Sequence, residues 1–310
     1  MLNQIKDGNV VRIEGILSEI DLKYGELVKP TGKVKTIMGN IKIRVDTKVN
    51  GSDTTLEIPV RMFATQFTNA GTPNSAFESI EKVMTEYVSI AASDIDRADR
   101  VRITKGEITM NEYYNQNGNL VSFPCVRASY VYKVKKDECK PQAKFTTTLM
   151  VGSKGFETDK DGVETDRYKL VGMIPQYGGK VDVVPFLAIN PGVIDAVSNY
   201  WSEGDTVNAT GVLNFTNRTE TVQSKVDFGE PTETTRTISV SELIITGGSS
   251  TPLDGDFAIN YEDVKEALEE RKNHLAQLKE KAATKKTAPA QAKPTAAPGT
   301  AVNKFRDLGF

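Results

Sequence analysis

Basic and aromatic side chains are concentrated in the first third of this 310-residue chain. Ammonium and guanidinium groups neutralise phosphates, and flat rings stack on nucleobases at roughly 1–3 kcal/mol per base. Residues 29–61 hold seven basic and only three acidic groups. The cationic candidates for such chemistry are Lys33, Lys35, Lys42, Arg44 and Arg61, and the aromatic candidates are Tyr24, Phe63, Tyr113 and Tyr114.

Alternation along the chain predicts how some of these side chains are presented. In residues 41–45, apolar residues alternate with Lys42 and Arg44, which places both cations on one face of a strand. Tyr113 and Tyr114 are adjacent, so a strand turns one ring inward and the other outward. The alternatives are an ordinary solvated face for the two cations and core packing for each aromatic ring.

The composition argues against catalysis. His274 is the one histidine, and Cys125 and Cys139 are too few for a zinc cluster or a disulfide scaffold. Walker A and G-x-G-x-x-G motifs do not occur. We therefore expect a protein that is not an enzyme and has no metal and no cofactor. Because a signal peptide and a membrane-spanning stretch are both missing from the sequence, we expect a cytoplasmic protein with no membrane partner.

The order of elements predicts a mainly all-β fold. Strands are predicted around 10–17, 41–45 and 56–63, followed by a helix with an apolar stripe from Phe77 to Tyr87. A long hairpin follows, with strands at 107–114 and 120–134. Three strands, a helix and a hairpin are the order of an OB-fold, a five-stranded Greek-key barrel that binds nucleic acid on strands 2 and 3 and two flanking loops.

The same order returns in the second segment of the chain. Strands are predicted at 145–151, 168–174 and 181–187, then a helix after Asn190 and a second hairpin that ends near Ile245. The sequence segments DRVRITKGEI (99–108) and DTVNATGVL (205–213) match with one gap, and each follows the predicted helix of its half of the chain. We therefore predict two tandem OB-fold-like Greek-key barrels, at 1–140 and 141–250.

Net charge differs among three parts of the chain, although it totals −2. It is +2 over residues 1–140, −7 over 141–260 and +3 over 261–310. The first barrel is therefore the main nucleic-acid-binding candidate, and the acidic second barrel could instead support dimerisation or bind replication proteins. Beyond it, residues 261–283 form an amphipathic helical pattern, and residues 284–310 have the composition of a disordered tail with an apolar tip.

The stretch from Asp99 to Val134 resembles the C-terminal half of the OB-fold in bacterial and phage single-stranded DNA-binding proteins. That family has a D-x-V-x-V-x-G-x-L strand opening, an aromatic residue, a polar Q-x-G hairpin tip and a β-branched strand. The matching residues are Asp99, Val101, Gly106, Ile108, Tyr113-Tyr114, Gln116-Asn117-Gly118 and 126–134. The resemblance covers about 35 residues well and the second barrel weakly.

The layout of barrel, low-complexity tail and terminal Phe is also similar to that family. The resemblance implies a tip that docks replication or recombination proteins, here formed by Phe305, Asp307, Leu308 and Phe310. The family tail is acidic and ends in several Asp residues followed by Ile-Pro-Phe, whereas residues 279–310 hold seven basic and two acidic groups. A phage-specific partner or a tail that touches DNA are both compatible with this difference.

These observations predict a single-stranded DNA-binding protein that coats exposed strands in replication or recombination, encoded by a bacteriophage and acting in the host cytoplasm. Its binding would lack sequence specificity, and a homo-oligomer is compatible with the sequence. The alternative is a non-catalytic all-β assembly protein, such as a virion component, whose barrels bind protein. The low net charge favours that alternative, and the tail and its tip do not.

Overall fold

The computed structural model describes residues 2–29, 32–49, 51–159, 161–223 and 233–287 and shows a mainly β protein. The strands are β1 (Asn9–Lys29), β2 (Gly32–Val49), β3 (Ser52–Thr65), β4 (Arg100–Tyr114), β5 (Leu120–Arg127), β6 (Tyr132–Val134), β7 (Gln142–Thr158), β8 (Glu164–Gln176), β9 (Lys180–Ala188), β10 (Thr206–Gln223) and β11 (Glu233–Gly248). The helices are α1 (Ser75–Glu86), α2 (Pro191–Tyr200) and α3 (Tyr261–Thr287). Among the described residues, no helix is both long enough and apolar enough to cross a membrane.

Strands β1–β5 close on themselves and form barrel 1. The strand β1 pairs with β2 and β4, β2 pairs with β3, and β4 pairs with β5, all antiparallel. A short parallel contact between β3 and β5, at Val60 and Val126, completes the ring. Helix α1 lies between β3 and β4, with Asn74 as its N-cap and Phe77, Ile80 and Val83 buried. This is the OB-fold connection pattern that the order of elements predicts.

Strands β7–β11 repeat these connections in barrel 2. The strand β7 pairs with β8 and β10, β8 with β9, and β10 with β11. A parallel bridge between Leu187 of β9 and Ile244 of β11 takes the place of the β3–β5 contact. Helix α2 lies between β9 and β10, as α1 lies between β3 and β4.

Two glycines of the matching segments 99–108 and 205–213 occupy equivalent positions in the two barrels. Gly106 pairs with Val11 where β4 crosses β1, and Gly211 pairs with Phe145 where β10 crosses β7. A Cβ atom on Gly211 would lie 2.1 Å from the carbonyl oxygen of Ile244, closer than any side chain tolerates. A Cβ on Gly106 would lie 3.2 Å from Val11, a tight but milder contact. The crossing strands therefore favour glycine at both positions.

The two barrels share one core. Antiparallel pairing of β1 with β7, from Asn9–Thr147 to Glu14–Gln142, joins their sheets. The largest cluster of buried apolar residues runs through both barrels and includes Leu17 and Ile43 of the first and Phe186 and Leu213 of the second. Since apolar burial is continuous across the junction, the barrels stabilise each other. The predicted domain bounds 1–140 and 141–250 fall between strands. The division of the chain into two domains remains our proposal.

Helix α3 packs against the outer face of barrel 2. Its residues Val264, Ala267 and Leu268 join a second apolar cluster. The barrel contributes Met150, Met173 and Val181 from β7, β8 and β9, and Leu2, Ile5 and Ile259 complete the cluster. Further along the helix, Arg271 forms an ion pair with Glu112 of β4. The helix therefore begins on barrel 2 and reaches barrel 1.

Several predicted boundaries differ from the structure; the strands predicted around 10–17 and 41–45, for example, extend over Asn9–Lys29 and Gly32–Val49. The return strand predicted at 120–134 ends at Arg127, and residues 132–134 form the separate strand β6, which pairs with residues 100–102. The amphipathic helix predicted at 261–283 continues to Thr287, because the alanine and lysine residues at its end are strong helix formers. The predicted tail therefore starts four residues later, and the rest of it lies outside the described residues.

Candidate nucleic-acid interface

A groove of about 770 Å³ lies on the outer face of barrel 1, and residues from all five strands β1–β5 line it. We refer to it as the groove. Its wall includes Glu19, Asp21, Lys23, Met38, Asn40, Lys42, Pro59, Arg61, Phe63, Asn111, Phe123 and Cys125. Of the residues that the sequence analysis singled out, Lys42, Arg61 and Phe63 line it.

Strand alternation explains why these side chains face outward. On β2, Ile41 and Ile43 are buried, so Lys42 between them lies on the opposite, solvent face. On β3, Val60 and Met62 are buried and Arg61 points out. The register places rows side by side across three strands, with Asp21 opposite Asn40 and Asn40 opposite Arg61. The groove is therefore a direct consequence of the apolar alternation that builds the core.

The groove presents three cations. Lys42 forms an ion pair with Glu19 at 2.5 Å, and both side chains are about half exposed. Lys23 and Arg61 have no ion pair with any described residue. Two carboxylates, Glu19 and Asp21, share the wall, so the surface is mildly cationic rather than strongly basic.

Two phenylalanine rings are exposed in the same wall. Phe63 is 47% exposed and Phe123 is 36% exposed, although both are fully apolar. Tyr113, which is 45% exposed, lies on the same face of β4 as Asn111 and two residues nearer the hairpin tip. Tyr114 turns to the other face and is half-buried. An exposed ring on a strand face offers a flat surface on which a base can stack.

Sequence reasoning missed Lys23, Asn111 and Phe123. Asn111 and Phe123 are cross-strand partners in the β4–β5 hairpin, whose tip contains Gly118 with a φ of +81°. The Asn-Gly turn signal fixes that register, so counting back from the turn would have placed both residues on one face. Cys125 also lines the groove, where its thiol lies 3.1 Å from the Thr109 hydroxyl and burial raises the pKa of the thiol.

Arg44 lies on the same outer face but outside the groove. Its guanidinium pairs with Asp46 at 3.2 Å, and Glu57 is its partner across the strand pair. Arg44 therefore has an exposed carboxylate partner, as Lys42 does, but lies outside the groove wall.

Three further candidates are on the opposite face of the strands, beside α1. Lys35 lies two residues from buried Ile37 and therefore shares the inner face, beyond the end of the core. Its ammonium sits 3.8 Å from the centre of the Tyr24 ring and 3.6 Å from a carboxylate oxygen of Glu81. The Tyr24 hydroxyl donates to Glu81 at 2.7 Å, which raises the pKa of that phenol. Lys33 pairs with Glu26 at 2.9 Å on this same face.

The structure thus separates the predicted set into two groups. Lys42, Arg61 and Phe63 come together in the groove, with Tyr113 and Arg44 at its margins. Tyr24, Lys33 and Lys35 form what we call the α1 cluster, which faces away from it. The tip residues Phe305, Asp307, Leu308 and Phe310 lie outside the described residues.

Comparisons with known proteins identify a family and similar solved structures. The YorF family model matches residues 7–281. The wild-type single-stranded DNA-binding protein from Thermus aquaticus is similar at 12% identity and a TM-score of 0.46, over 80% of this chain and 94% of that chain. A deletion variant of that protein is similar at 11% identity and the same TM-score, over 80% and 95%. No curated protein sequence matches the chain. At this level of overlap, the strand connections described above remain the basis for the fold.

Proposed function

The chain belongs to the YorF family, and we propose that it binds single-stranded DNA in the groove of barrel 1, without sequence specificity. The observation that carries this proposal is the combination of Lys23, Lys42 and Arg61 with the exposed rings of Phe63 and Phe123 in one open wall. Cations along a groove neutralise phosphates, and aromatic faces accept bases of any identity.

The ion pair of Lys42 does not oppose this function. Exposed ion pairs contribute about 0–1 kcal/mol, because water screens both charges. A phosphate can therefore replace Glu19 as the partner of Lys42 at little energetic cost. Since the wall is only mildly cationic, stacking on Phe63 and Phe123 must supply a large part of the affinity, and the remainder should weaken as salt rises.

The first experiment reverses the groove charges. Lys42→Glu combined with Arg61→Glu should raise the Kd for fluorescein-labelled oligo-dT roughly 100-fold at about 0.1 M salt, since two phosphate contacts become repulsive. Fluorescence anisotropy measures the Kd, and a urea melt shows that the fold is retained. Both side chains are solvent-exposed, so the substitutions should cost no more than about 1–2 kcal/mol of stability, including the repulsion between the new carboxylate and Glu19 across the strand pair.

A matched control uses the α1 cluster. Lys33→Glu combined with Lys35→Glu makes the same change in net charge on the opposite face of the same sheet. We expect this control to bind within about threefold of the unmodified protein, because long-range charge effects are screened within about 10 Å at 0.1 M salt. Equal losses in the two double variants would contradict the groove and indicate a purely non-specific charge effect.

Competition distinguishes the proposal from a protein-binding role for the barrels. Unlabelled single-stranded DNA should displace the labelled strand, and duplex DNA should compete poorly, because its stacked bases cannot reach Phe63 and Phe123. Single-stranded RNA is the third competitor. A chain that binds none of the three would favour the assembly-protein alternative.

The wider role that the sequence resemblance supports is the coating of exposed strands during phage DNA replication or recombination. The docking tip at Phe305–Phe310 belongs to that proposal. Its test is whether a chain truncated after residue 287 binds oligo-dT normally but no longer retains replication or recombination proteins.

A further inference from the structure

A second depression opens beside the groove, at the junction of barrel 1, barrel 2 and α3. It has a volume of about 430 Å³ and shares Arg61 and Asn111 with the groove wall. We refer to it as the seam pocket. Its other lining residues include Met110, Glu112, Lys180, Asp182, Glu270 and Arg271. Because two residues belong to both depressions, they form one continuous surface that passes Arg61.

Some charged side chains of the seam pocket are paired or buried, and others are free to contact a ligand. Arg271 and Glu112 neutralise each other in a mostly buried ion pair. Asp182 is mostly buried, and its carboxylate accepts a hydrogen bond from the Met110 backbone N–H at 3.3 Å. Lys180 is exposed and has no ion pair with a described residue, while Glu270 is the exposed carboxylate of the pocket. Lys180 and Arg61 are therefore its two available cations, one from each barrel.

Lys180 stands at a hairpin tip of barrel 2. The turn between β8 and β9 consists of Tyr177, Gly178 and Gly179, and both glycines have φ near +80°. The preceding Gln176 donates from its side-chain amide to the Ile108 carbonyl of barrel 1 at 3.2 Å. This bond fixes the tip against barrel 1. Tyr177, on the other side of the turn, is 82% exposed, more than any other large apolar or aromatic side chain among the described residues.

We infer that the seam pocket is a second contact site for the same DNA strand. This inference rests on the proposed function of the groove. A nucleotide that leaves the groove past Arg61 reaches Lys180, which neutralises its phosphate, and the neighbouring base stacks on Tyr177. Barrel 2 thus contacts the strand through a hairpin tip and not through its strand face, which α3 covers.

The test measures how tightly two double variants bind oligo-dT of two different lengths. An oligonucleotide of about four nucleotides is at the low end of what one OB-fold binds, and one of roughly 20 exceeds the range of about 4–16. Tyr177→Ala with Lys180→Glu should lower the affinity for the long strand about tenfold and leave the affinity for the short strand within about twofold. For the long strand, the slope of log K against log salt concentration should decrease in magnitude by about one. The control is Phe156→Ala with Lys169→Glu, a matched aromatic and charge change at exposed positions of barrel 2 outside the pocket.

The outcomes separate this inference from the function on which it rests. If the unmodified protein binds neither length, the proposed function is wrong. If the groove variant loses binding but the Tyr177 and Lys180 variant binds the long strand as the control does, the groove stands and the seam site is overturned. An equal loss for the short and the long strand also overturns the seam site, since it would mean that the substitutions act on the groove itself.

Discussion

The two barrels differ on the face of their first three strands. On barrel 1 that face carries Asn40, Lys42 and Arg61 and is open to solvent. On barrel 2 the corresponding strands carry Met150, Met173 and Val181, and α3 packs over them. The same strand connections therefore support an open groove with cationic and aromatic side chains in one copy and a helix-docking surface in the other. Connectivity alone does not determine which barrel binds a ligand; the outward-facing residues decide it.

The physical difference lies in the cost of leaving each face exposed. An apolar face on β7–β9 gains free energy when α3 covers it, at roughly 25 cal/mol per Å² of apolar surface. A face with Lys42 and Arg61 would lose the hydration of its charges under the same helix. The net charge of −7 over residues 141–260 agrees with this division, since it makes barrel 2 less attractive than barrel 1 to a polyanion.

The largest expected effect comes from detaching helix α3 from barrel 2. Val264 is 1% exposed in the cluster between α3 and the barrel, and Val264→Asp places an unpaired carboxylate there. Burial of an unpaired charge should destabilise this contact by roughly 4 kcal/mol, so that α3 detaches before the barrels unfold. Hydrogen exchange should show protection lost in α3 and kept in β1–β5.

Oligo-dT binding by the Val264→Asp variant then sharpens the comparison. The groove lies on barrel 1, so a strand of about four nucleotides should bind with unchanged affinity. If the variant instead gains a second site for oligo-dT, the face beneath α3 is itself a binding surface and the contrast between the barrels is wrong. Glu266→Gln, at an exposed position two residues along the helix, serves as the control.

A smaller effect is expected from the aromatic rings of the two barrels. Phe63 in the groove and Phe156 on barrel 2 are equally exposed, at 47% and 45%. Phe63→Ala should weaken oligo-dT binding by about 1–3 kcal/mol, the value of one stacked base, and Phe63→Tyr should retain most of the affinity. Phe156 packs edge-on against Tyr168 with ring centres 5.0 Å apart, and Phe156→Ala should leave the Kd unchanged. Titration by fluorescence anisotropy compares all three, and similar losses for the two alanine variants would remove the distinction between the barrels.

The sequence predicted the barrel connections because apolar alternation, the α1 stripe and the Asn-Gly turn are local signals. It grouped Lys33 and Lys35 with Lys42, since the strand signal was confined to 41–45. The strand β2 in fact runs from Gly32 to Val49. Along one continuous strand, odd and even residues face opposite ways, so Lys35 and Lys42 cannot share a surface.

Local sequence patterns could not predict where α3 packs. Its apolar stripe at Val264, Ala267 and Leu268 indicates that the helix packs on something, and the alternation of β7–β9 indicates which residues point outward. Neither pattern says that the two surfaces meet, because that contact depends on how the chain returns from β11. The seam pocket, which draws on both barrels and α3, was unpredictable for the same reason.

The smallest effect concerns the charge that barrel 2 buries against barrel 1. Burial raises the pKa of Asp182 to about 6, from an ordinary value of 3.8; Glu112 also raises it, while the Met110 N–H, Arg271 and Arg127 lower it. Because the folded protein then binds a proton more tightly than the unfolded chain, stability falls as pH rises from about 4 to about 6. Above pH 6 the carboxylate opposes folding by at most about 3 kcal/mol, and less because Asp182 retains partial contact with solvent.

Asp182→Asn removes this penalty without changing the size of the side chain. We expect the variant to be about 1–2 kcal/mol more stable than the unmodified protein at pH 8 and equally stable at pH 4, where the native carboxyl is protonated. Urea titrations at both pH values measure the difference. Asp205→Asn, which makes the same substitution outside the seam pocket, is the control. If the gain at pH 8 is absent, Asp182 is solvated in the folded protein, and the two barrels would then meet less closely at the seam than their shared core implies.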